Sequence, residues 1–297
     1  MQTRGVGRAR ANDHVGRPSN GAGAPRSFQL NISEGVATLT LDRADTLNAV
    51  TLDTYRELRD TFLALQDDPL AHGAQAERAA GVRAVILTGS GAGFCAGADI
   101  DEVIGQLTTM GTAEVLAYMR LCGETVQAMR RLRKPIIAAV NGVAVGAGAA
   151  LAIAADLRVA SDLARFGFIF PRMGLSAAEM GTTWLLPRIV GLGRATELLL
   201  TGEIIDCYAA ERQGLVNRVV PGEQLMSTAR ALAARLAAGP TFAHGMTKEM
   251  LEREAHMDLS SALAAEGQAQ QICTQSLDFR EAYRAIVRQR HPRFQGR

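Results

Sequence analysis

The sequence predicts an α/β fold, in which strands and helices alternate over the first two thirds of the chain and helices dominate the remainder. Short apolar runs typical of buried strands lie between segments with helical periodicity up to about residue 195. Beyond that point the pattern is mostly helical. With 297 residues, of which 47% are apolar, the chain can bury a sizeable core in one large domain or two ordinary ones.

The first elements are a strand, a helix and a second strand. Order is expected from about Phe28 onward, and residues 35–41 alternate between apolar and polar side chains as in a half-buried strand. Residues 51–66 carry apolar side chains at helical spacing. An Ala/Gly-rich stretch over 71–81, which we interpret as a surface insertion, separates this helix from a buried strand over 82–87.

The next elements continue the alternation. A helix is predicted from about 113 to 132, followed by a buried strand over 135–140 and a further strand over 157–160. A small, Gly-rich apolar segment at 142–155 lies between these two strands. The later part of the chain predicts helices at about 193–201, 207–213, 223–238, 241–266 and 275–290.

Positive charge is concentrated at the N-terminus. Residues 1–26 hold five arginines and one aspartate, so they carry +4, and the remainder carries −2 of the formal net charge of +2. This segment lacks apolar periodicity and the apolar core of a secretory signal, and we interpret it as a flexible basic arm. A transit peptide and a site for anionic partners are the alternatives.

Composition excludes several functional classes. A net charge this small does not indicate a nucleic-acid partner, and no apolar run reaches the roughly 18 to 20 residues that span a bilayer. The four cysteines are widely spaced and form no metal-binding pattern with histidine. This spacing favours a reducing, cytoplasmic location over a disulfide framework.

Two Gly/Ala-rich segments, each placed between a strand and a helix, carry the chemical signal. The first, over 91–102, has Asp99 and Glu102 at the spacing of a helix cap. The second, over 141–150, follows the strand at 135–140. Small residues let a ligand approach the backbone, and free N–H groups at a helix start favour an oxyanion. Taken singly, each segment is also compatible with an ordinary turn or a tight packing contact.

Together the two segments predict a two-donor oxyanion hole suited to an enolate. Each donor of this kind contributes roughly 3 kcal/mol to transition-state stabilisation. The second segment is a poor dinucleotide fingerprint, because the G-x-G-x-x-G spacing and an acidic residue about 20 positions later are not both present.

Six motifs resemble, in order and spacing, those of the enoyl-CoA hydratase/isomerase (crotonase) superfamily. They are 41–49 (LDRADTLNA), 82–89 (VRAVILTG), 94–99 (FCAGAD), 134–142 (KPIIAAVNG), 186–191 (LPRIVG) and 214–221 (GLVNRVVP). The resemblance covers roughly residues 28–297, and the chain is identified as a member of this superfamily.

The resemblance implies a crotonase-like spiral of ββα units over 27–200, preceded by the arm at 1–26. It also implies a helical C-terminal region over 201–297 that makes trimer contacts, with assembly as a homotrimer or a dimer of trimers. The implied substrates are acyl-CoA thioesters, so CoA is part of the substrate and no metal or redox cofactor is implied. Neither a nucleic acid nor a membrane is expected as a partner.

The same resemblance places the two oxyanion donors at the backbone N–H groups of Ala98 and Ala147. Position 147 is commonly glycine in the family, and the donor survives a change to alanine if φ is negative. CoA contacts are implied for Arg43, as a basic position near the nucleotide. Further CoA contacts fall on the loop that contains Ala96, Gly97, Asp99 and Ile100.

The acidic residues depart from the hydratase pattern. The two glutamates of family hydratases would fall at Ala150 and Phe170, and neither residue can transfer a proton. Glu179 matches an acidic position that some isomerases carry eight residues before the Leu-Pro proline, and burial there would raise its pKa toward that of a useful base. The alternatives are that Glu179 is a surface residue in a turn, or that the helical Glu124, a weaker candidate, is the acid.

One carboxylate can remove a proton from one carbon and return it to another, which suits double-bond isomerisation better than hydration. The sequence therefore predicts a lyase or isomerase that acts on unsaturated acyl-CoA thioesters through a stabilised enolate. The alternatives are a 2-enoyl-CoA hydratase of fatty-acid or related degradation, and an acyl-CoA-binding relative without catalysis.

Overall fold

The computed structural model describes residues 27–66 and 81–297. The predicted arm at 1–26, and the predicted insertion at 71–81 except its last residue, lie outside these ranges. The strands are β1 (Phe28–Ser33), β2 (Val36–Leu41), β3 (Ala84–Gly89), β4 (Gly93–Cys95), β5 (Ile136–Val140), β6 (Val143–Val145), β7 (Leu157–Ser161), β8 (Arg165–Gly167), β9 (Ile204–Asp206) and β10 (Arg218–Val220).

The helices alternate with these strands and then dominate the C-terminal part. They are α1 (Leu52–Leu65), α2 (Thr112–Arg131), α3 (Ala147–Ala154), α4 (Thr182–Val190), α5 (Leu192–Thr201), α6 (Cys207–Arg212), α7 (Leu225–Ala238), α8 (Thr241–Arg253), α9 (Leu259–Thr274) and α10 (Leu277–Val287). Short helical turns lie at Ala44–Thr46, Ile100–Ile104, Gly105–Leu107, Phe170–Met173, Gly222–Gln224 and Glu254–His256. The predicted α/β class and the helical C-terminal region are confirmed.

The larger sheet contains six strands in the order β1-β2-β3-β5-β7-β10. Strands β1 and β2 are antiparallel, and each later neighbour pair is parallel. Strand β2 alternates between buried and half-buried residues, whereas β3 and β5 are buried almost throughout. This difference explains why the sequence shows alternation in the first strand and continuous apolar runs in the next two.

Helix α1 illustrates how the local sequence determines an element. The Thr51 side chain caps the helix by accepting a hydrogen bond from the Thr54 N–H at 3.2 Å. Three large side chains on one face, Tyr55, Leu58 and Phe62, are fully buried. The predicted apolar face is therefore the face that packs into the core.

The smaller sheet contains four short strands in the order β4-β6-β8-β9. Strands β4, β6 and β8 are parallel neighbours, and β9 is antiparallel to β8. The carboxyl ends of three parallel strands therefore meet at one edge of the sheet, as in other α/β folds that bind ligands there. The loops that follow these strands form the site described below.

One predicted helix is wrong. The sequence pattern over 241–266 predicts a single helix, but the structure has two helices, α8 and α9, separated by a break at 254–258. Met257 adopts an extended conformation, and the Asp258 side chain accepts a hydrogen bond from the Ser261 N–H at 3.0 Å. Asp258 thus starts a new helix as its N-cap, a signal that the apolar periodicity conceals.

The predicted boundary between the spiral core at 27–200 and the C-terminal region at 201–297 remains a prediction. Strands β9 and β10 lie beyond it, and each joins one of the two sheets. Within 27–66 and 81–297, no helix combines the length and the apolar character needed to cross a membrane.

Candidate active site

The loops after β4, β6 and β8 enclose a small cavity of about 80 Å³. The residues that line it are Ala96, Gly97, Ala98, Ile100, Ile104, Leu107, Tyr118, Met119, Gly146, Ala147, Ile169, Phe170, Met173, Leu175 and Glu179. The structure therefore brings Ala98, Ala147 and Glu179, which are far apart in sequence, to the wall of one cavity.

The backbone N–H of Ala98 is available to a ligand. The loop forms a parallel bridge with Val50, whose N–H donates to the Gly97 carbonyl at 2.8 Å and whose carbonyl accepts from the Asp99 N–H at 3.0 Å. Because a bridge of this type uses the neighbours of the central residue, the Ala98 N–H is directed away from Val50. It donates to no other group in the described part of the chain.

The backbone N–H of Ala147 is available for a different reason. Ala147 is the first residue of α3, and the first N–H groups of a helix have no partner within the helix. No acceptor for this N–H occurs among residues 27–66 and 81–297. Ala147 does not have a positive φ, so the condition under which alanine keeps the donor is met.

Two glycines let the donor loops meet. A Cβ on Gly97, which has φ 97°, would lie 3.1 Å from the Val145 carbonyl oxygen and 3.6 Å from the Ala147 nitrogen. A Cβ on Gly148 would lie only 2.0 Å from the Cys95 carbonyl oxygen. The two donors are thus held by direct packing of backbone on backbone, which a side chain at either glycine would disturb.

Glu179 lies in a tight turn between the helical turn Phe170–Met173 and α4. The Thr182 N–H donates to the Glu179 carbonyl at 3.0 Å, and the Thr182 hydroxyl donates to the Ala177 carbonyl. Met180 has a positive φ of 49°, which is uncommon for a residue other than glycine. The Tyr55 hydroxyl donates to the Met180 sulfur at 3.7 Å. The turn that carries the carboxylate is therefore fixed from several sides.

The surroundings of the Glu179 carboxyl are mainly apolar. Burial raises its pKa above the ordinary value, because the charged form loses solvation. Glu179 is half-buried and lines the cavity, so the prediction of a surface residue in a turn does not describe its position. A carboxyl group with a raised pKa is a stronger base than an exposed one, which suits a group that must both take and return a proton.

The raised pKa predicts the pH dependence of the enzyme. Glu179 must be ionised to act as a base, so kcat/KM should rise with pH, with a midpoint above the value of about 4.3 for an exposed glutamate. The free energy of unfolding should change with pH in the opposite direction. Because burial favours the neutral form of Glu179, its contribution to stability falls as pH rises between its pKa in the unfolded state and its pKa in the folded state. A pH profile of kcat/KM tests this, and a midpoint at the exposed value would contradict it.

The two positions of the missing glutamates differ in environment. Ala150 is fully buried inside α3 and does not line the cavity. Phe170 does line the cavity, at the carboxyl-end edge of the small sheet. An apolar methyl group and an aromatic ring thus stand at the two positions to which the resemblance assigns the glutamates of family hydratases.

The predicted CoA-binding residues fall into two groups. Ala96, Gly97 and Ile100 line the cavity beside Ala98. Arg43 instead binds two carboxylates, Asp99 Oδ2 at 2.9 Å and Glu102 Oε1 at 3.0 Å. It lines a separate polar cleft of about 390 Å³ that also contains several acidic side chains. The role of Arg43 near the nucleotide remains a prediction, and its charge is already partly neutralised.

Asp99 confirms the predicted helix cap. Its side chain accepts hydrogen bonds from the N–H groups of Asp101 and Glu102 at 3.1 and 3.0 Å. The hydrogen bond from Glu102 and the ion pair with Arg43 lower the pKa of the Asp99 carboxyl. Arg43 and Asp99 together hold the turn Ile100–Ile104, which forms one side of the cavity.

Tyr118 is the polar residue of the described cavity lining that the sequence argument missed. It lies on the buried face of α2, and a lone tyrosine among apolar positions of a helix normally indicates core packing. By contrast, Glu124 on the same helix has a side chain that is 52% exposed and pairs with Arg59 at 2.9 Å. This location agrees with its treatment as the weaker acidic candidate.

Comparisons with known proteins agree with this arrangement. The sequence profile of the family described as enoyl-CoA hydratase/isomerase matches residues 31–297. The chain is 35% identical to the 1,2-epoxyphenylacetyl-CoA isomerase of Escherichia coli, over 90% of this chain and 97% of the relative. It is 36% identical to the short-chain-enoyl-CoA hydratase of Clostridium acetobutylicum, over 86% of this chain and 92% of the relative.

The fold is also similar to solved structures. The crystal structure of an enoyl-CoA hydratase from Bacillus anthracis superimposes with a TM-score of 0.83 at 30% sequence identity, covering 92% of this chain and 100% of that one. The similar proteins thus include both isomerases and hydratases by name.

Proposed function

Because the chain belongs to the enoyl-CoA hydratase/isomerase family, we propose that it moves a double bond within an unsaturated acyl-CoA thioester. The observation that carries this proposal is the set of residues that line the cavity. Glu179 is its one carboxylate among the described lining residues, and the same lining includes Ala98 and Ala147, whose backbone N–H groups have no acceptor in the described structure. The hydratase positions hold Ala150 and Phe170, which cannot activate water.

The proposed reaction uses one proton-transfer group twice. Glu179 removes a proton from C2 of a 3-enoyl-CoA, and the electrons move onto the thioester oxygen to form a dienolate. The N–H groups of Ala98 and Ala147 stabilise this oxygen, each by roughly 3 kcal/mol. The protonated Glu179 then donates its proton to C4, which forms the 2-enoyl product and restores the carboxylate.

A panel of CoA esters tests the proposal. The protein should convert a 3-enoyl-CoA to its 2-enoyl isomer much faster than it hydrates crotonyl-CoA, because the described lining of the cavity offers one carboxylate, Glu179, and not the pair of glutamates that family hydratases use. Rapid hydration of crotonyl-CoA with little isomerisation would overturn the proposal. Binding of the esters without either reaction would favour the acyl-CoA-binding relative.

The proposed assembly is a homotrimer or a dimer of trimers. Large apolar side chains are exposed on several helices, including Leu192 at 73%, Leu251 at 68% and Leu259 at 75%, and exposed apolar surface is typical of protein interfaces. Sedimentation velocity should give a mass near three or six times the 31.6 kDa of one chain. A monomer at micromolar concentration would contradict this assembly.

A cytoplasmic location is part of the proposal. All four cysteines are free, and three of them are buried, as expected in a reducing compartment. Cell fractionation tests the location, and recovery of the protein outside the cytoplasm would contradict it. CoA enters as part of the substrate, and no further cofactor is proposed.

A further inference from the structure

The cavity contains a second polar side chain that the proposed reaction does not use. Among its described lining residues, only Tyr118 and Glu179 have side chains with an oxygen or nitrogen atom. Tyr118 as a whole residue is 4% exposed, and its side chain lines the cavity. A buried tyrosine hydroxyl normally finds a hydrogen-bond partner.

No hydrogen bond of the Tyr118 hydroxyl with standard distance and angle occurs among residues 27–66 and 81–297. Its polar neighbours are the Cys122 thiol, the Glu179 carboxyl and the Tyr55 hydroxyl. A thiol is a weak acceptor. The Tyr55 hydroxyl is engaged with the Met180 sulfur at 3.7 Å. The donor capacity of the Tyr118 hydroxyl is therefore unused within the described structure.

The position of the Tyr118 ring is well defined. Tyr55, which is fully buried, packs against it edge to face, with ring centroids 6.0 Å apart and an interplanar angle of 76°. Tyr118 and Cys122 are one helical turn apart on α2. A donor held in this way loses little conformational freedom when it binds a ligand, which favours a specific contact.

We propose that Tyr118 donates a hydrogen bond to an oxygen atom on the acyl group, so that the substrates are acyl-CoA thioesters whose acyl chain itself carries an oxygen function. This inference rests on the proposed function, since it assumes that the acyl group occupies the cavity. The thioester oxygen does not need Tyr118, because Ala98 and Ala147 supply its donors. Burial raises the pKa of Tyr118, so the hydroxyl remains neutral and able to donate.

Binding measurements on esters that cannot react test this inference. Heptanoyl-CoA is compared with two esters of equal length in which the fifth or the sixth carbon is replaced by an ether oxygen. Dissociation constants are measured by isothermal titration calorimetry for the wild type, Tyr118→Phe and Tyr208→Phe. Tyr208 is the matched control, because it is 52% exposed and does not line the cavity.

The expected result is selective. At least one ether ester should bind the wild type as tightly as heptanoyl-CoA or more tightly, and Tyr118→Phe should weaken that ester about tenfold. Heptanoyl-CoA should change by less than about twofold, because it offers no acceptor. Tyr208→Phe should leave all three constants unchanged.

Four other results would overturn the inference. If Tyr118→Phe weakens all three esters equally, or none, the hydroxyl does not recognise an acyl oxygen. Tyr118→Phe could instead lower kcat for 3-heptenoyl-CoA, whose acyl chain carries no ether oxygen, at unchanged affinity. In that case Tyr118 acts on Glu179 as a positioning residue. If the wild type binds none of the esters, the proposed function itself is wrong, and this inference is lost with it.

Discussion

Substitution of Glu179 by glutamine should lower kcat for isomerisation of a 3-enoyl-CoA by about 100- to 10,000-fold, the range that general acid–base groups contribute. Glutamine has nearly the same shape but neither accepts nor returns a proton. Burial is the cause of the raised pKa of Glu179, so the substitution breaks no ion pair in the described structure. Stability and acyl-CoA affinity should therefore be retained.

Glu124→Gln is the matched control for this variant. Glu124 is a half-exposed carboxylate that pairs with Arg59 and does not line the cavity, so its loss should leave kcat unchanged. Turnover is measured at saturating substrate concentration from the absorbance of the conjugated 2-enoyl thioester. Affinity is measured by calorimetry with an acyl-CoA whose acyl chain has no double bond. A Glu179→Gln enzyme with kcat within about tenfold of the wild type would show that another group transfers the proton.

Proline at position 147 removes a proposed oxyanion donor without interrupting a helix. Ala147 is the first residue of α3, where proline is well tolerated because that N–H has no helical partner. Gly146, which precedes it, has no Cβ to clash with the ring. We expect kcat to fall about 100- to 1,000-fold, which corresponds to the loss of roughly 3 kcal/mol of transition-state stabilisation.

Thr112→Pro separates this effect from a general effect of proline. Thr112 is the first residue of α2, is exposed, does not line the cavity, and follows the extended Gly111. This variant should keep full activity and a normal thermal unfolding temperature. If Ala147→Pro is folded and equally active at saturating substrate, the Ala147 N–H is not an oxyanion donor.

Elements with a strong local pattern could be predicted from the sequence. Helix α1 has a cap at Thr51 and an apolar face, and its predicted bounds of 51–66 differ from the observed Leu52–Leu65 by one residue at each end. The buried strand β5 follows from a continuous apolar run after Pro135. In both cases the information lies within a few residues of the element itself.

The smaller sheet could not be predicted in the same way. Strands β4, β6 and β8 contain three residues each, and three residues are too few to show a period. They are accompanied by long-range contacts of the flanking loops, such as the Asn48 side chain donating to the Ser90 carbonyl at 2.9 Å. The resemblance supplied the site positions that local pattern did not.

The polar content of the cavity depends on tertiary structure. Tyr118 is a lone tyrosine on a helix, and its proximity to Glu179 arises from the packing of α2 beside the turn at 177–181. Only the three-dimensional arrangement distinguishes it from an ordinary core residue. The burial of Glu179 was predicted from its apolar sequence neighbours, and the structure provides it through the cavity wall.

The two halves of the proposed site should tolerate mutation very differently over evolutionary time. Every amino acid except proline supplies a backbone N–H, so the donors at 98 and 147 can persist while their side chains drift within the available space. The proton-transfer group is a single side chain, and nearly every replacement of Glu179 removes it. A lineage can therefore inherit the ability to stabilise an enolate unchanged while the turn at 177–181 and its neighbours acquire new reactions.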